Sequence, residues 1–296
     1  MTVVATFEEA RELASGTVGL VPTMGYLHEG HLSLVEASAR ENNTTFVTIF
    51  VNPLQFDDAG DLDAYPTDLT RDVDLAMAAG ADVVIAPTAG YMYPEGSDTR
   101  VTVGAVAEAM EGAHRQGHFE GVATVVAKLF AGSRPDRAYF GRKDAQQLAV
   151  VRAMVRDLSF PIDIRPVPIM REEDGLALSS RNVRLPEDMR CAALGLFRGL
   201  MAAADRYEAG DRDVPSVLAA IDQQLVASPK LELDYAALAD SASAKIAEEF
   251  SGEQFLAVAG TVGPVRLIDN ITIDSTTGSV DRGTLLTSQS IMYGGT

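Results

Sequence analysis

The sequence predicts an α/β protein built on a doubly wound parallel sheet, followed by a smaller α+β domain. Short apolar runs alternate with segments of helical apolar spacing, in the order β-α-β-α-β over residues 17–87. Polar motifs follow the ends of these runs, where an open parallel sheet binds ligands. From Pro186 the pattern changes to a long helix, a second helix and two strands. We therefore predict a larger ligand-binding domain over residues 1–184 and a smaller one over residues 185–296.

The N-terminal elements are predicted from apolar spacing and from residues that end helices. The segment 44–51 is rich in β-branched and aromatic residues, which favour strands, and Gly80 is suited to close a helix. The predicted elements are a helix over 2–15, a strand over 17–21, a helix carrying Leu32, Val35 and Ala39, a strand over 44–51, a helix over 66–79 and a strand over 81–87.

The middle of the chain continues the alternation of helices and strands. The predicted elements are a short helix through Met110, a polar loop over 114–121, an apolar helix over 122–130, a strand over 136–140, a helix carrying Leu148, Val151 and Val155, a strand over 162–167 and a mobile loop over 172–175.

Composition limits the partners of this chain. Its 296 residues contain 24 Lys and Arg against 42 Asp and Glu, a net charge of −18, which disfavours nucleic acid and anionic membranes. The segment 113–184 is instead net positive, with 12 basic against 8 acidic residues, and this charge suits a small anionic substrate. No apolar run reaches about 18 residues and no signal peptide is recognisable, so we expect a cytoplasmic protein. The single Cys191 excludes an internal disulfide and is expected in the core.

The strongest local motif follows the first predicted buried strand, in the stretch 21–31. Gly25 and Gly30 allow the backbone to approach a ligand closely, and a strand, a turn and a helix N-terminus together present N–H groups to phosphate. His28 and His31 can donate hydrogen bonds to that phosphate. The alternative is that one histidine caps the helix and the other is solvated.

Two other turns carry groups suited to a nucleotide. Ser179, Ser180 and Arg181 offer two hydroxyls and a guanidinium for phosphate, with a helix cap as the alternative. In the strand-to-helix turn 141–144, Lys143 can reach phosphate and Asp144 can accept hydrogen bonds from ribose hydroxyls. A solvated helix start is the alternative there.

Amide side chains provide groups for a small polar acid. Asn52 and Gln55 follow the strand over 44–51, and Gln147 lies one helical turn beyond Lys143. Amides bind hydroxyls and carboxylates without adding charge, although an Asn in such a loop also stabilises turns. Arg115, His114 and His118 give the weakest signal, and a solvated loop is favoured for them.

Several other catalytic motifs are missing from the sequence. It contains neither G-x-x-x-x-G-K-[ST] nor a G-x-G-x-x-G after the first strand, which argues against a P-loop enzyme and a dinucleotide dehydrogenase. The histidines of His28-Glu29-Gly30-His31 are three apart, so the H-E-x-x-H zinc motif is absent, as is a G-x-S-x-G elbow.

Taken together, six motifs resemble the pantothenate synthetase family over nearly the whole chain. The first motif also resembles the HIGH signature of nucleotidyltransferases and class I aminoacyl-tRNA synthetases. The serine motif resembles the KMSKS-type phosphate loop, with Arg181 in place of its lysine. The six motifs span residues 22–31, 50–56, 117–126, 141–147, 179–182 and 266–270.

This resemblance implies a Rossmann-like domain of the HIGH superfamily and a defined reaction. ATP and pantoate form pantoyl adenylate and pyrophosphate, and β-alanine then displaces AMP to give pantothenate. The resemblance further implies Mg²⁺ and a homodimer. A water-excluding cover is needed over the labile adenylate, and residues 65–70 and 172–180 are the candidate segments.

The resemblance also assigns roles to individual positions. His31 would be the proton donor with His28 beside it, assisted by Lys143 and Arg181, while Gln55, Gln147 and Asn52 would bind the substrate acid. Met170 and Leu178 differ from the residues expected in the family and would act through backbone or packing. No metal ligand is predicted. The implied ATP contacts are Met24, Gly25, Tyr26, Leu27, His28, Glu29, Gly30, His31, Gly141, Arg142, Lys143, Asp144, Met170, Leu178, Ser179, Ser180 and Arg181.

Two alternative functions share the same motifs. Another nucleotidyltransferase of this superfamily would transfer a nucleotidyl group to a phosphorylated acceptor, and its product would keep the nucleotide. A nucleotide-binding regulator would bind ATP without releasing pyrophosphate and would tolerate the loss of His31.

Overall fold

A computed structural model describes residues 2–57 and 59–294 of the chain. The chain divides into two compact units, Met1–Gly141 with Val150–Val167, and Arg142–Ala149 with Pro168–Thr296. The domain boundary predicted between residues 184 and 185 falls within the second unit and stays a prediction.

The first unit contains the predicted parallel sheet, with six strands in the order β1-β4-β3-β2-β5-β6. Every neighbouring pair is parallel. From β2 the chain adds β3 and β4 on one side, and it then adds β5 and β6 on the other side of β2. The strand order therefore reverses between β2 and β5. Open α/β sheets bind ligands beside such a point, at the carboxyl ends of the strands. The strands are β1 (Thr2–Val4), β2 (Val18–Thr23), β3 (Thr44–Ile49), β4 (Val83–Ile85), β5 (Arg137–Gly141) and β6 (Asp163–Val167).

Helices connect these strands, as the alternation in the sequence predicts. Helix α8 continues from the second unit into the first. The helices are α1 (Phe7–Leu13), α2 (Glu29–Glu41), α3 (Ala59–Asp63), α4 (Leu69–Ala78), α5 (Ala89–Met92), α6 (Glu111–His114), α7 (His118–Ser133) and α8 (Ala145–Asp157).

Three predicted elements of the first unit differ from the structure. The short helix predicted through Met110 is wrong, because a 3₁₀ turn ends at Ala107 and α6 begins only at Glu111, with Met110 at a positive φ between them. The helix predicted over residues 2–15 is wrong at its start, because Thr2–Val4 form a strand that pairs with β4 and α1 begins only after the capping residue Thr6. Three residues are too few to show an alternating pattern, and the parallel partner decides their conformation. The polar loop predicted over 114–121 is wrong from His118 onward, since α7 begins there and buries that histidine.

The core of the first unit explains why its strands appear as continuous apolar runs. Val21, Val47 and Val84, on three adjacent strands, are fully buried, and Val35 of α2 packs into the same cluster. Strands covered on both faces bury every side chain, and each buried valine stabilises the fold by about 1.5–3 kcal/mol. This core fixes the strand ends that carry the candidate site.

The second unit contains an antiparallel sheet with two packed helices. Its strand order is β11-β10-β9-β8, and a separate parallel pair joins β7 to β12. The predicted long helix and second helix are confirmed, whereas the sheet has more strands than the two predicted. The elements are β7 (Met170–Arg171), α9 (Arg190–Glu208), α10 (Val214–Leu225), β8 (Leu231–Asp240), β9 (Glu253–Val262), β10 (Val265–Asp274), β11 (Ser279–Asp281) and β12 (Thr284–Leu285).

The environment of Cys191 contradicts its predicted place in the core. Cys191 is exposed, whereas its neighbours Ala192 and Ala193 are buried. Successive helical residues point about 100° apart, so an apolar stretch near the start of α9 still places one member outward. Across residues 2–57 and 59–294, we find no helix with the length and apolar character needed to cross a membrane.

Candidate active site

The turn that follows β2 is shaped for a close backbone approach; we call residues 24–31 the His turn. Gly25 has φ +88°, and a Cβ at this position would lie 2.9 Å from Oδ2 of Asp72. Tyr26 also adopts a positive φ, of +50°. The chain then enters α2 with His28 as its N-cap, so the helix begins where the sequence predicts a phosphate-binding N-terminus.

The two histidines of the His turn hold the start of α2 through a capping box. Nδ1 of His28 accepts a hydrogen bond from the Gly30 N–H at 3.1 Å, and Nδ1 of His31 accepts one from the His28 N–H at 3.3 Å. Because each Nδ1 accepts, each neutral ring carries its proton on Nε2. The capping alternative is thus correct for His28, and His31 completes the same capping box.

A buried carboxylate from α4 holds the middle of the His turn. Asp72 is 1% exposed and accepts hydrogen bonds from the N–H groups of Tyr26 at 2.6 Å and Leu27 at 2.7 Å. Arg71 donates to the Leu27 carbonyl at 3.0 Å and lies over the Tyr26 ring. Burial raises the pKa of Asp72, and the two N–H groups and Arg71 oppose that rise.

The amides beyond β3 form a network at the neighbouring strand end. Asn52 is 1% exposed; its Nδ2 donates to Oε1 of Gln55 and to the Gly121 carbonyl, and its Oδ1 accepts from Tyr93 Oη at 2.8 Å. The Gln55 Nε2 donates to Sδ of Met24 in the His turn. Asn52 therefore stabilises this turn, as the alternative interpretation predicts, and its side chain holds the side chain of Gln55. Its predicted contact with substrate stays a prediction.

His118 and the start of α7 fix Gln55 from its backbone side. His118 Nδ1 lies 2.8 Å from the Gln55 carbonyl oxygen and must carry the proton of that hydrogen bond. Its Nε2 lies 3.3 Å from a guanidinium nitrogen of Arg115, which donates to it. A Cβ at Gly121 would lie 2.2 Å from the Leu54 carbonyl oxygen, so only glycine allows this close packing of α7. The solvated loop favoured for His118 is wrong.

In the second unit, residues Arg142–Asp144 form a 3₁₀ turn that leads into α8; we call it the Lys turn. Lys143 Nζ lies 3.6 Å from Oδ1 of Asp144. The Arg142 guanidinium donates to Thr272 of β10 and pairs with Glu253 of β9. Asn270 donates from Nδ2 to the carbonyl oxygens of Arg142 and Lys143 at 3.0 and 2.7 Å.

The serine motif begins a 3₁₀ turn over Ser180–Arg184. Ser179 is its N-cap and accepts from the Arg181 N–H at 3.3 Å. It therefore caps this turn and not the helix predicted from Pro186, which begins at Arg190. Ser180 is buried, and Asn182 donates to the buried carboxylate of Glu172 at 2.8 Å. Leu178 is also buried and bonds through its backbone to Met170, in agreement with a packing or backbone role.

The loop predicted to be mobile at residues 172–175 is a hydrogen-bonded turn. The Gly175 N–H donates to the Glu172 carbonyl at 2.9 Å, and the Glu172 N–H donates to the Leu176 carbonyl at 2.8 Å. Arg171 donates to the Gly175 carbonyl at 3.1 Å. Gly175 has φ +100°, and its missing Cβ makes room for the Phe197 ring. This segment is therefore held in place on several sides.

Among residues 2–57 and 59–294, no group of three or more His, Cys, Asp or Glu side chains is placed to hold a metal ion. Mg²⁺ is commonly bound through substrate phosphates and water with only one or two carboxylates.

Sequence reasoning missed two residues that support the site, Asp72 and Tyr93. For Asp72 a signal existed, because it shares the apolar face of the predicted helix with Leu69 and Ala76. A carboxylate on such a face needs partners. Tyr93 lies in a stretch without periodicity, and nothing local marks it. Asn270 lies within the motif at residues 266–270, but nothing in the local sequence indicates its hydrogen bonds to the Lys turn.

Comparisons with known proteins agree with these motifs. The family model described as pantoate-β-alanine ligase matches residues 2–272. The pantothenate synthetase of Moorella thermoacetica is 49% identical over 258 residues, which cover 87% of this chain and 91% of that protein.

Two solved structures are also similar. The pantothenate synthetase of Thermus thermophilus has a TM-score of 0.88 and 48% identity, covering 91% of this chain and 98% of that one. The pantoate-β-alanine ligase of Francisella tularensis, solved in complex with β-γ ATP and β-alanine, has a TM-score of 0.74 and 30% identity over 91% of this chain and 97% of that one.

Proposed function

This chain belongs to the pantoate–β-alanine ligase family and joins pantoate to β-alanine in an ATP-dependent reaction that forms an amide bond, and we propose that it does so through a bound pantoyl adenylate. A carboxylate oxygen of pantoate attacks the α-phosphorus of ATP, and the bond from this phosphorus to the bridging oxygen breaks. Pyrophosphate leaves with the bonding electrons. The amine of β-alanine then attacks the acyl carbon, loses a proton and displaces AMP.

The first step brings two anions together, and positive or proton-donating groups must offset their repulsion. We assign His28 and His31 to the phosphates of ATP, because their capping box holds both imidazoles at the N-terminus of α2, where backbone N–H groups and the helix dipole favour an anion. Lys143 and Arg181 supply positive charge to the departing pyrophosphate. The remaining implied ATP contacts, of the His turn, the Lys turn, Gly141, Met170 and Leu178 to Ser180, are proposed with them.

We assign Gln55 to pantoate, with Gln147 as the second pantoate ligand. The network around Gln55 supports this role, since Asn52 and His118 fix its side chain and its backbone. An amide held in this way binds a hydroxyl or a carboxylate without having to be ordered again. Asn52 then acts by positioning Gln55.

We propose that Mg²⁺ binds together with ATP, where it supplies positive charge to the phosphate oxygens. We also propose that the protein is a homodimer in the cytoplasm. The dimer is tested by light scattering at micromolar concentration, where we expect twice the mass of one chain, and the mass of a single chain contradicts it.

The observation that carries the proposal is the capping box of His28 and His31, which holds both imidazoles at the N-terminus of α2 directly after β2. The test is a single addition of ATP, Mg²⁺ and pantoate without β-alanine. Pyrophosphate is expected in an amount close to that of the enzyme, after which release stops. Adding β-alanine is expected to release AMP and pantothenate and to restart turnover.

Each alternative gives a different result in this experiment. A nucleotide-binding regulator releases no pyrophosphate, and another nucleotidyltransferase does not respond to pantoate. Pyrophosphate release that requires β-alanine from the start contradicts the adenylate while leaving the overall ligation intact.

A further inference from the structure

The motif at residues 266–270 has no role in the reaction described above. It lies in β10 of the second unit, and its last two residues, Asp269 and Asn270, are 4% and 2% exposed. Burying two adjacent polar side chains in the middle of a strand costs free energy unless both are hydrogen-bonded. The partners of these hydrogen bonds therefore indicate the role of the two residues.

Asn270 uses both amide hydrogens on the Lys turn. Its Nδ2 lies 3.0 Å from the carbonyl oxygen of Arg142 and 2.7 Å from that of Lys143. These two bonds fix the orientation of two successive peptide groups, and therefore the direction in which the Lys143 side chain leaves the backbone.

The side-chain oxygen of Asn270 makes no comparable contribution, so the role of this residue depends on the two N–H groups of its Nδ2. Within the part of the chain that the structure describes, Oδ1 of Asn270 is buried without a hydrogen-bond partner. A buried acceptor without a partner lowers the free energy of unfolding, so this asparagine is poorly suited to stabilisation alone. Both N–H groups of its side chain instead bond to the Lys turn.

Asp269 and Arg171 hold Asn270 itself in place. Asp269 accepts a hydrogen bond from the Asn270 N–H at 2.7 Å, and Arg171 donates to the Asn270 carbonyl at 3.1 Å. Asp269 and Arg171 also form an ion pair at 2.7 Å in which both side chains are almost completely buried. The peptide groups on either side of Asn270 are thus fixed by charged partners, which make stronger hydrogen bonds than neutral ones.

We propose that Asn270 is a positioning residue that orients Lys143 toward the phosphates of ATP. This inference rests on the proposed function and extends it, because it gives the motif at residues 266–270 a role in adenylate formation. Asn270 acts only through the backbone of the Lys turn, so its effect on catalysis depends on the presence of the Lys143 side chain.

The test is a double-mutant cycle with Asn270→Ala and Lys143→Ala, in which the rate of pantoate-dependent pyrophosphate release is measured. Misplacing a catalytic group by about 1 Å costs on the order of 10²-fold, so we expect Asn270→Ala alone to lower the rate by about 10- to 100-fold. In the Lys143→Ala background, the same change is expected to lower it by less than about 2-fold. Equal factors in the two backgrounds overturn the proposal, because a general loss of structure does not depend on Lys143.

Gln254→Ala is the matched control. Gln254 is a buried amide on the adjacent strand β9; its side chain bonds to the backbone of Ser251 and Glu249 and makes no hydrogen bond to the Lys turn. We expect it to lower the midpoint of thermal unfolding with a rate within about 2-fold of wild type. A rate loss as large as that of Asn270→Ala contradicts a specific role for Asn270.

Asn270→Ser covers the case in which Asn270→Ala does not fold, because serine keeps one donor, and the same cycle is then measured with it. Calorimetric titration with ATP and Mg²⁺ gives a second readout, in which we expect weaker ATP binding and unchanged pantoate binding. A wild-type protein that releases no pantoate-dependent pyrophosphate contradicts the proposed function itself. If the wild-type protein releases pyrophosphate normally but the rate losses from the Asn270 and Lys143 substitutions simply multiply, only the positioning role of Asn270 is contradicted.

Discussion

The His turn of the first unit and the Lys turn of the second unit are fixed by side chains of opposite chemistry. In the His turn, the Asp72 carboxylate accepts hydrogen bonds from two successive backbone N–H groups. In the Lys turn, the Asn270 amide donates to two successive backbone carbonyl oxygens. Each turn is fixed from a distant element, and neither supporting side chain is among the assigned ATP contacts.

Because a carboxylate fixes one turn and an amide fixes the other, we expect the two turns to respond differently to pH and to substitution. A buried carboxylate carries a charge that can be titrated, whereas a buried amide carries none. The His turn presents imidazole side chains, whereas the Lys turn presents the amino group of Lys143.

The largest effect is expected for His31→Ala, which should lower pantoate-dependent pyrophosphate release by about 10²-fold or more while the fold is retained. Lys143→Ala and Arg181→Ala should have similar effects through lost phosphate charge. The control is His114→Ala, which changes an exposed histidine of the same unit. Near-normal release by the His31 variant removes the central assignment.

Gln55→Ala should weaken pantoate binding by about 10-fold or more and leave ATP binding unchanged. A substrate hydroxyl or carboxylate left unpaired in a closed site costs about 1–3 kcal/mol, which is a factor of about 5 to 150 in affinity. Titration calorimetry with each ligand separately measures both affinities, and the exposed Gln116→Ala serves as the control. Loss of ATP affinity with normal pantoate affinity shows that Gln55 is wrongly assigned.

Asp72→Asn should remove a pH-dependent part of the free energy of unfolding. Burial raises the pKa of Asp72 above 3.8, so on acidification the folded protein takes up this proton before the unfolded chain does. The contribution of Asp72 to stability is therefore largest at low pH and decreases as pH rises through the raised pKa. Urea unfolding of wild type and variant between about pH 4 and pH 7 measures the difference. In Asn270→Ser, the free energy of unfolding should change with pH as it does in wild type. A different pH dependence in that variant contradicts the proposed difference between the two turns.

The smallest effect is expected for Tyr93→Phe. The change removes the hydrogen bond from Tyr93 to Oδ1 of Asn52, and Asn52 in turn holds Gln55. One such bond is worth about 0.5–1.5 kcal/mol, so pantoate binding should weaken by a few-fold at most. Initial rates at varied pantoate concentration measure this, with Tyr91→Phe as the control for a tyrosine that contacts Glu8 instead. A loss as large as that of Gln55→Ala shows that Tyr93 has a direct role.

Much of the candidate site follows from local sequence. Glycines with positive φ, helix caps and residues that follow apolar runs depend on interactions within about four positions, and such interactions leave a pattern in the sequence. Ser179 as a cap, His28 at the start of α2 and the amides beyond β3 are examples. The parallel sheet itself is predictable because buried strands are continuously apolar.

The order of elements, the family motifs and the turns that carry the candidate site residues are all predictable from the sequence. The way in which those turns are fixed, the strand that pairs with Thr2–Val4 and the exposed position of Cys191 on α9 depend on tertiary contacts. Asp72 lies 46 residues from Tyr26, and Asn270 lies 127 residues from Lys143. A hydrogen bond over such a separation has no periodicity and requires no particular neighbours in sequence. It forms because the folded chain buries both partners away from water, where each polar group must find another.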